Sequence, residues 1–233
     1  MGLPKQPYRN RVLAALPKPE IERLKPHLSP VTLKVQAELL DGRADYAYFL
    51  EGGLASVVLP MQDGSTVEVG VIGKDGLVGL PILLGADRMP GRTFIQVEGS
   101  GFRINAERLK EEFERSGELR RHLQKYLLAN LVQSAQNAAC NRLHTIGERL
   151  SRWLLTCHDR VQSDRMALTH EFLAQMLGAP RTTVTLAAGM LQQAGLIDYS
   201  RGHVTIKNRS GLEEAACECY GIVRKEFKRL GLL

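Results

Sequence analysis

One stretch of the chain decides its fold: LTHEFLAQMLGAPRTTVTLAAGMLQQAGLI, residues 168–197, predicts two short helices joined by a tight turn. Thr169 is a good N-cap for the first helix, and Gly178 can end that helix because glycine readily adopts a left-handed conformation. Pro180 can open the second helix without losing a hydrogen bond, and Gly195 ends it. Two helices joined by a short turn that contains glycine are typical of a helix-turn-helix.

The segment that follows, LIDYSRGHVTI (196–206), predicts two short strands around a turn at Gly202, which is the pattern of a wing. The second helix carries Arg181, Thr182 and Thr185 on one face, although threonine is a mediocre helix former. In helix-turn-helix proteins the N-terminal part of the second helix enters the major groove of DNA. Arginine can donate two hydrogen bonds to guanine, and threonine can reach bases or phosphates. The alternative is an exposed face with arbitrary polar residues.

The N-terminal half of the chain predicts a small β-sandwich or barrel. Short strand-like runs alternate with glycine-containing turns between Pro30 and Asn105, a spacing typical of such folds. The predicted strands cover 31–35, 46–53, 54–59, 65–73 and 92–104.

A long helix is predicted from about 118 to 145, where the chain contains neither proline nor glycine. A helix of that length extends about 42 Å, more than a small barrel needs to cover its own face. The helix either packs along its own domain or is shared between two copies, and its length and apolar stripe favour self-association. The stripe consists of Leu119, Leu123, Tyr126, Leu127, Asn130, Leu131 and Ser134. A further amphipathic helix is predicted after Gly147, over 148–161.

Composition narrows the class of protein. The 233 residues carry a net charge of +6, which favours an acidic partner. Residues 1–10 lack the apolar core of a secretory signal, and the apolar run at 78–86 is too short to span a membrane, so we predict a cytoplasmic protein without a membrane partner. The chain contains none of the common hydrolase, metalloprotease or nucleotide-binding motifs, so no catalytic residue is predicted.

Over about residues 20 to 210 the chain resembles the Crp/Fnr family of bacterial transcription regulators, most closely over 149–161 and 168–197. The resemblance implies an α+β fold with an N-terminal β-roll, a cyclic-nucleotide-binding-like double-stranded β-helix, over 1–117. A dimerisation helix over 118–145 and a C-terminal winged helix-turn-helix over 146–233 would complete it. The family implies a homodimer on double-stranded DNA, with half-sites about 34 Å apart. It also implies RNA polymerase as a partner and a small-molecule effector in the β-roll.

The family's DNA-contacting positions carry over residue by residue. Arg181, Thr182 and Thr185 match base-reading positions, and Thr169 and His170 match phosphate-contacting ones. Many members have glutamate where Thr182 stands and arginine where Leu186 stands. Because neither replacement preserves the hydrogen bonds of the original, the preferred DNA sequence should differ from the familiar family consensus.

The family's ligand site matches only in part. Arg92 and Thr93 stand at the phosphate-binding position, and Ser134 stands where the family can contact a nucleotide base. Gly79 is followed by Leu80 instead of the glutamate that holds a ribose hydroxyl, so cyclic AMP is disfavoured. We expect a different small ligand or none, with Arg92 as a salt-bridge partner and Ser134 as a small interface residue.

The cysteines predict no cofactor. No cysteine precedes Cys140, so the family's N-terminal iron–sulfur cluster is not expected. Cys217 and Cys219 form a C-x-C pair that could bind a metal or sense oxidation, but two ligands do not complete a tetrahedral site. Buried inert thiols and no metal site are therefore predicted. The alternative to a DNA-binding regulator is a ligand-binding module that acts through protein contacts without DNA.

Overall fold

Two antiparallel four-stranded sheets face each other in the N-terminal half of the computed structural model, which describes residues 8–115 and 117–233. One sheet has the order β1-β8-β3-β6 and the other β2-β7-β4-β5. Leu33, Leu50, Val78 and Ile95 pack in the space between the sheets. The predicted β-roll is therefore confirmed. Its strands are β1 Ser29–Leu33, β2 Glu38–Arg43, β3 Tyr46–Leu50, β4 Leu54–Pro60, β5 Thr66–Ile72, β6 Leu77–Val78, β7 Arg88–Val97 and β8 Gly99–Asn105.

Short helices flank the β-roll, and longer ones form the rest of the chain. Beside the roll are α1 Arg11–Ala14, α2 Lys18–Leu24, a 3-10 turn Lys25–His27, α3 Leu80–Leu83 and α4 Ala106–Glu114. The remaining helices are α5 Glu118–Leu143, α6 Ile146–Val161, α7 His170–Leu177, α8 Arg181–Gln193, α9 Arg209–Ala215 and α10 Cys219–Arg229. Within the described residues, no helix is long and apolar enough to cross a membrane.

A third, three-stranded sheet completes the C-terminal region. It consists of β9 Arg165–Ala167, β10 Ile197–Ser200 and β11 His203–Ile206, in the order β10-β11-β9. The wing is confirmed, and β9 extends its sheet because Arg165 and Met166 pair with β11. The helix expected to start after Gly147 begins at Ile146 instead. Thr145 and Glu148 form a reciprocal capping box that places Gly147 inside the first turn.

The long helix α5 presents two different faces. Leu119, Leu123 and Tyr126 are buried against the same chain. Tyr126 approaches so closely that a Cβ on Gly76 would lie 2.0 Å from its ring, and glycine is therefore required at that position. Leu131 and Ser134, which the sequence assigned to the same stripe, are exposed. The packing of this helix on its own domain is therefore confirmed, and its sharing between two copies stays a prediction.

The β-roll and the C-terminal region share one hydrophobic core. Leu54 and Phe94 from the roll pack in the same cluster as Leu154 and Leu173 from α6 and α7. Glu68 on β5 is buried in this contact and accepts a hydrogen bond from Trp153 Nε1 at 2.6 Å. Burial raises the pKa of Glu68 to about 7, although the Trp153 hydrogen bond acts in the opposite direction.

Glu68→Gln is expected to change the pH dependence of stability. Because the folded pKa lies above the unfolded value, folding favours the protonated form, and wild-type stability falls as pH rises from about 4.5 to about 7. The neutral glutamine removes this term, so the unfolding free energy of the variant relative to wild type should rise by on the order of 2–3 kcal/mol between pH 5 and pH 8. Denaturant unfolding at several pH values measures this. The exposed Glu114→Gln is the control, and an equal pH profile for both variants would contradict the assignment.

Candidate nucleic-acid interface

Helix α7 has the start and end that its sequence predicts. Thr169 Oγ1 accepts a hydrogen bond from the Phe172 amide at 3.1 Å, which makes Thr169 the N-cap. Gly178 ends the helix in a left-handed conformation with φ of 56°. Leu173 and Leu177 are buried, so the helix is held against α6 and α8 by its apolar face. The hydroxyl of Thr169 stays exposed and can still donate a hydrogen bond.

Helix α8 separates its residues cleanly into a buried and an exposed side. Val184, Ala188 and Leu191 are buried, as the sequence predicts. The exposed side of the helix carries, near its N-terminal end, the three residues that the sequence predicts to read bases. These are Arg181, Thr182 and Thr185. Leu186 belongs to the same face and is 70% exposed. The structure thus brings the predicted base-reading residues onto one surface.

His170 connects α7, α8 and the wing. Its Nδ1 lies 3.1 Å from Thr185 Oγ1, and its ring stacks on the Tyr199 ring with 4.0 Å between centroids. Tyr199 in turn donates to the Leu168 carbonyl at 2.8 Å. Burial and the nearby charge of Arg181 lower the pKa of His170, which favours the neutral ring. His170 therefore orients the surface, and its contact with phosphate stays a prediction.

Arg201 is a candidate that the sequence reasoning missed. It lies at the tip of the wing, between β10 and β11, and is exposed. Its backbone is left-handed with φ of 48°, which the hairpin turn with Gly202 requires. An arginine directly before the turn glycine of a wing was the signal available in the sequence, because arginine commonly donates hydrogen bonds to DNA phosphates.

The predicted ligand residues of the β-roll are only partly brought together. Gly79, Arg92 and Thr93 line one small, largely apolar cavity, but Ser134 does not line it. Arg92 forms an ion pair with Glu38 on the neighbouring strand, with 3.1 Å between Nη1 and Oε1. Arg92 thus has the carboxylate partner that the sequence analysis expected, and Glu38 would compete with a bound phosphate for its guanidinium group.

The interpretation of Cys217 and Cys219 as a pair without further ligands is wrong. The fold brings Cys140 and His144 to them, and the four potential ligand atoms lie within 4.8 Å of one another. Sequence spacing could not show this, because the two halves of the cluster come from α5 and from the segment around α10.

These elements define a winged helix-turn-helix protein with an N-terminal β-roll. Residues 148–215 match the family model described as the Crp-like helix-turn-helix domain. No curated protein sequence matches the chain.

Solved structures share the fold over most of their length. FixK2 from Bradyrhizobium japonicum is 17% identical with a TM-score of 0.69, over 82% of this chain and 98% of that one. TTHA1359, a Crp/Fnr transcriptional regulator from Thermus thermophilus, is 19% identical with a TM-score of 0.65, over 81% and 98%. The c-di-GMP responsive regulator CLP from Xanthomonas campestris is 17% identical with a TM-score of 0.64, over 82% and 99%. The resemblance to the Crp/Fnr family is confirmed in the fold and in the helix-turn-helix domain.

Proposed function

We propose that the protein is a transcription regulator that binds double-stranded DNA as a homodimer. The observation that carries this proposal is the exposed face of α8, where Arg181, Thr182 and Thr185 stand at the N-terminal end of the second helix of a Crp-like helix-turn-helix domain. That end of the second helix reads the major groove in such motifs. A free helix N-terminus also favours a phosphate nearby.

The chemistry of the face indicates what it can read. Arg181 can donate two hydrogen bonds to guanine O6 and N7, and the threonine hydroxyls can serve bases or phosphates. The side chain of Leu186 can neither donate nor accept a hydrogen bond, but an exposed apolar side chain can contact the methyl group of thymine. We therefore expect each half-site to contain a guanine opposite Arg181 and a thymine opposite Leu186.

The exposed face of α5 supports the homodimer. Leu128, Leu131, Ala135 and Ala138 follow one another at alternating steps of three and four residues, the spacing of a coiled-coil seam. All four are exposed in the single chain. Pairing of two α5 helices would bury this stripe and place the two copies of α8 about a two-fold axis.

The β-roll is proposed to modulate binding through a small effector other than a cyclic nucleotide. Its cavity is largely apolar, Arg92 is engaged by Glu38, and Leu80 occupies the position of the ribose-binding carboxylate. RNA polymerase is the expected protein partner at promoters, and such a regulator works in the cytoplasm.

A mobility-shift assay with genomic fragments at several salt concentrations tests the function. Retarded complexes whose affinity falls with salt are expected, because phosphate contacts release counterions. Failure to shift any fragment at low salt, with and without cell extract, would instead favour the ligand-binding module that acts through protein contacts alone.

Arg181→Ala is expected to weaken binding to a specific site by about 1–3 kcal/mol and to relax the preference at one base pair. Affinities for the specific site and for its single-base variants measure both effects. Arg108→Ala removes the same charge from the exposed side of α4 in the β-roll and serves as the control. Equal weakening on all sequences would show that Arg181 binds phosphate instead of a base.

A further inference from the structure

Four potential metal ligands meet where the long helix ends. Cys140 lies in the last turn of α5 and His144 directly follows that helix, while Cys217 lies in the link from α9 to α10 and Cys219 is the first residue of α10. The three cysteines are buried, and the four ligand atoms all lie within 4.8 Å of one another. Cys140 Sγ is 3.5 Å from Cys217 Sγ, and Cys219 Sγ is 3.6 Å from His144 Nδ1.

These two distances agree with the edges of a tetrahedral zinc site. Bond lengths of about 2.3 Å to sulfur and about 2.0 Å to nitrogen give edges of about 3.8 Å between two sulfurs and about 3.5 Å between sulfur and nitrogen. An iron–sulfur cluster is larger than a single ion and would need its thiolates farther apart than this. The arrangement therefore suits one ion at the centre of the four ligands.

We propose that Cys140, His144, Cys217 and Cys219 bind one Zn²⁺ per chain as a closed Cys3His site. Thiolate and imidazole ligands select zinc over the hard cations magnesium and calcium. Four protein ligands leave no open position for substrate, so the site is structural.

Residues around the cluster orient the ligands as neighbours of a zinc site commonly do. His144 Nε2 lies 3.1 Å from Glu218 Oε2 and donates to this carboxylate, which leaves Nδ1 with its lone pair directed at the thiols. Gln136 Nε2 donates to Cys219 Sγ at 3.1 Å. Both contacts hold a ligand atom in place, and the contact with Glu218 also fixes the tautomer of His144.

Charge balance also favours the ion. Three thiolates and one Zn²⁺ would leave the site with a net charge of −1. The positive guanidinium groups of Arg149 and Arg152, both on α6, interact electrostatically with Cys140 and offset this charge. Both arginines are buried. Arg149 also donates to the Leu177 carbonyl at the end of α7, so it links the cluster to the helix-turn-helix. Bound zinc would fix the C-terminal helices to the junction between α5 and α6.

The test is metal analysis and cobalt substitution of the full-length protein, and it does not depend on DNA binding. One zinc per chain is expected in protein purified without added metal. The wild-type protein stripped of metal should take up one Co²⁺ and develop the intense visible bands of tetrahedral cobalt with a sulfur-to-cobalt charge-transfer band. Removal of the ion should lower the melting temperature, because the metal binds the folded state.

Variants identify the ligands. Cys219→Ala and His144→Ala should each reduce the zinc content from one per chain to near zero after dialysis. Cys157→Ala, which alters the buried cysteine of α6 outside the cluster, should retain it. The proposal is overturned by wild-type protein that binds no zinc, by a weak octahedral cobalt spectrum, by iron with inorganic sulfide, or by a Cys140–Cys217 disulfide in protein made under reducing conditions.

Discussion

Leu131→Asp is expected to convert the proposed dimer into a monomer and to lower affinity for a two-half-site DNA by about 100-fold or more. Leu131 is 69% exposed in the single chain and lies at the centre of the exposed stripe of α5. In the proposed dimer two such aspartates would approach each other across the two-fold axis, in an apolar seam that cannot solvate them. A single helix-turn-helix would then bind one half-site without the gain that linkage to a second one provides.

Leu84→Asp is the matched control for this variant. Leu84 is 70% exposed and follows α3 at the surface of the β-roll. The control therefore makes the same substitution at an equally exposed leucine outside α5. Sedimentation equilibrium and mobility shifts measure the two effects together. If Leu131→Asp remained a dimer with wild-type affinity, α5 would not be the interface, and the copies would have to meet through another surface.

Asp75→Ala is expected to cost about 3–5 kcal/mol of unfolding free energy. Asp75 follows β5, and its Oδ2 lies 2.7 Å from Arg160 Nη2 on α6, with side-chain exposures of 3% and 7%. Arg160 also donates to Gln133 on α5 at 3.2 Å. The pair therefore joins the β-roll, the long helix and the C-terminal region. Its loss leaves a buried guanidinium without its counterion.

An exposed ion pair of the same type is the control for Asp75→Ala. Asp45 and Arg43 are 2.8 Å apart and 64% and 68% exposed, so Asp45→Ala should cost only about 0–1 kcal/mol. Replacing both buried partners, as in Asp75→Leu with Arg160→Met, should recover much of the loss because no charge is left unpaired. Denaturant unfolding measures all three variants. Equal costs for Asp75→Ala and Asp45→Ala would show that the buried pair is not what holds the regions together.

Sequence predicted the helix-turn-helix well because its signals are local. Thr169, Gly178 and Pro180 act on the residues next to them, so their roles follow from the order of residues alone. Strands β1, β3, β4 and β5 were also predicted, whereas the single strand expected over 92–104 is two strands, β7 and β8. Strand β2 was not predicted, because the residues Asp41, Gly42 and Arg43 are typical of a turn. In the structure they belong to the strand, and the pairing of β2 with β7 shifts its register at two places. Strand β6 has only two residues and depends on its pairing with β3.

The features that could not be predicted from the sequence are contacts between residues that lie far apart in the chain. Cys140 and Cys217 lie 77 positions apart, and their contact follows from how α10 packs on α5. Cys140 and His144 are four residues apart at the end of one helix, and this spacing was the local hint of a ligand pair. The interaction of Glu68 with Trp153 likewise joins residues 85 positions apart, in a core that the two regions share.

Selection of bound sequences from a random pool of double-stranded DNA tests the central claim most directly, that two copies of α8 read DNA about a two-fold axis. We expect enrichment of an inverted repeat whose half-sites are centred about 34 Å apart, roughly one helical turn, and differ from the familiar family consensus. With Arg181→Ala the same selection should lose one base preference in each half-site. Enrichment of no sequence, or of a single site without two-fold symmetry, would contradict the account.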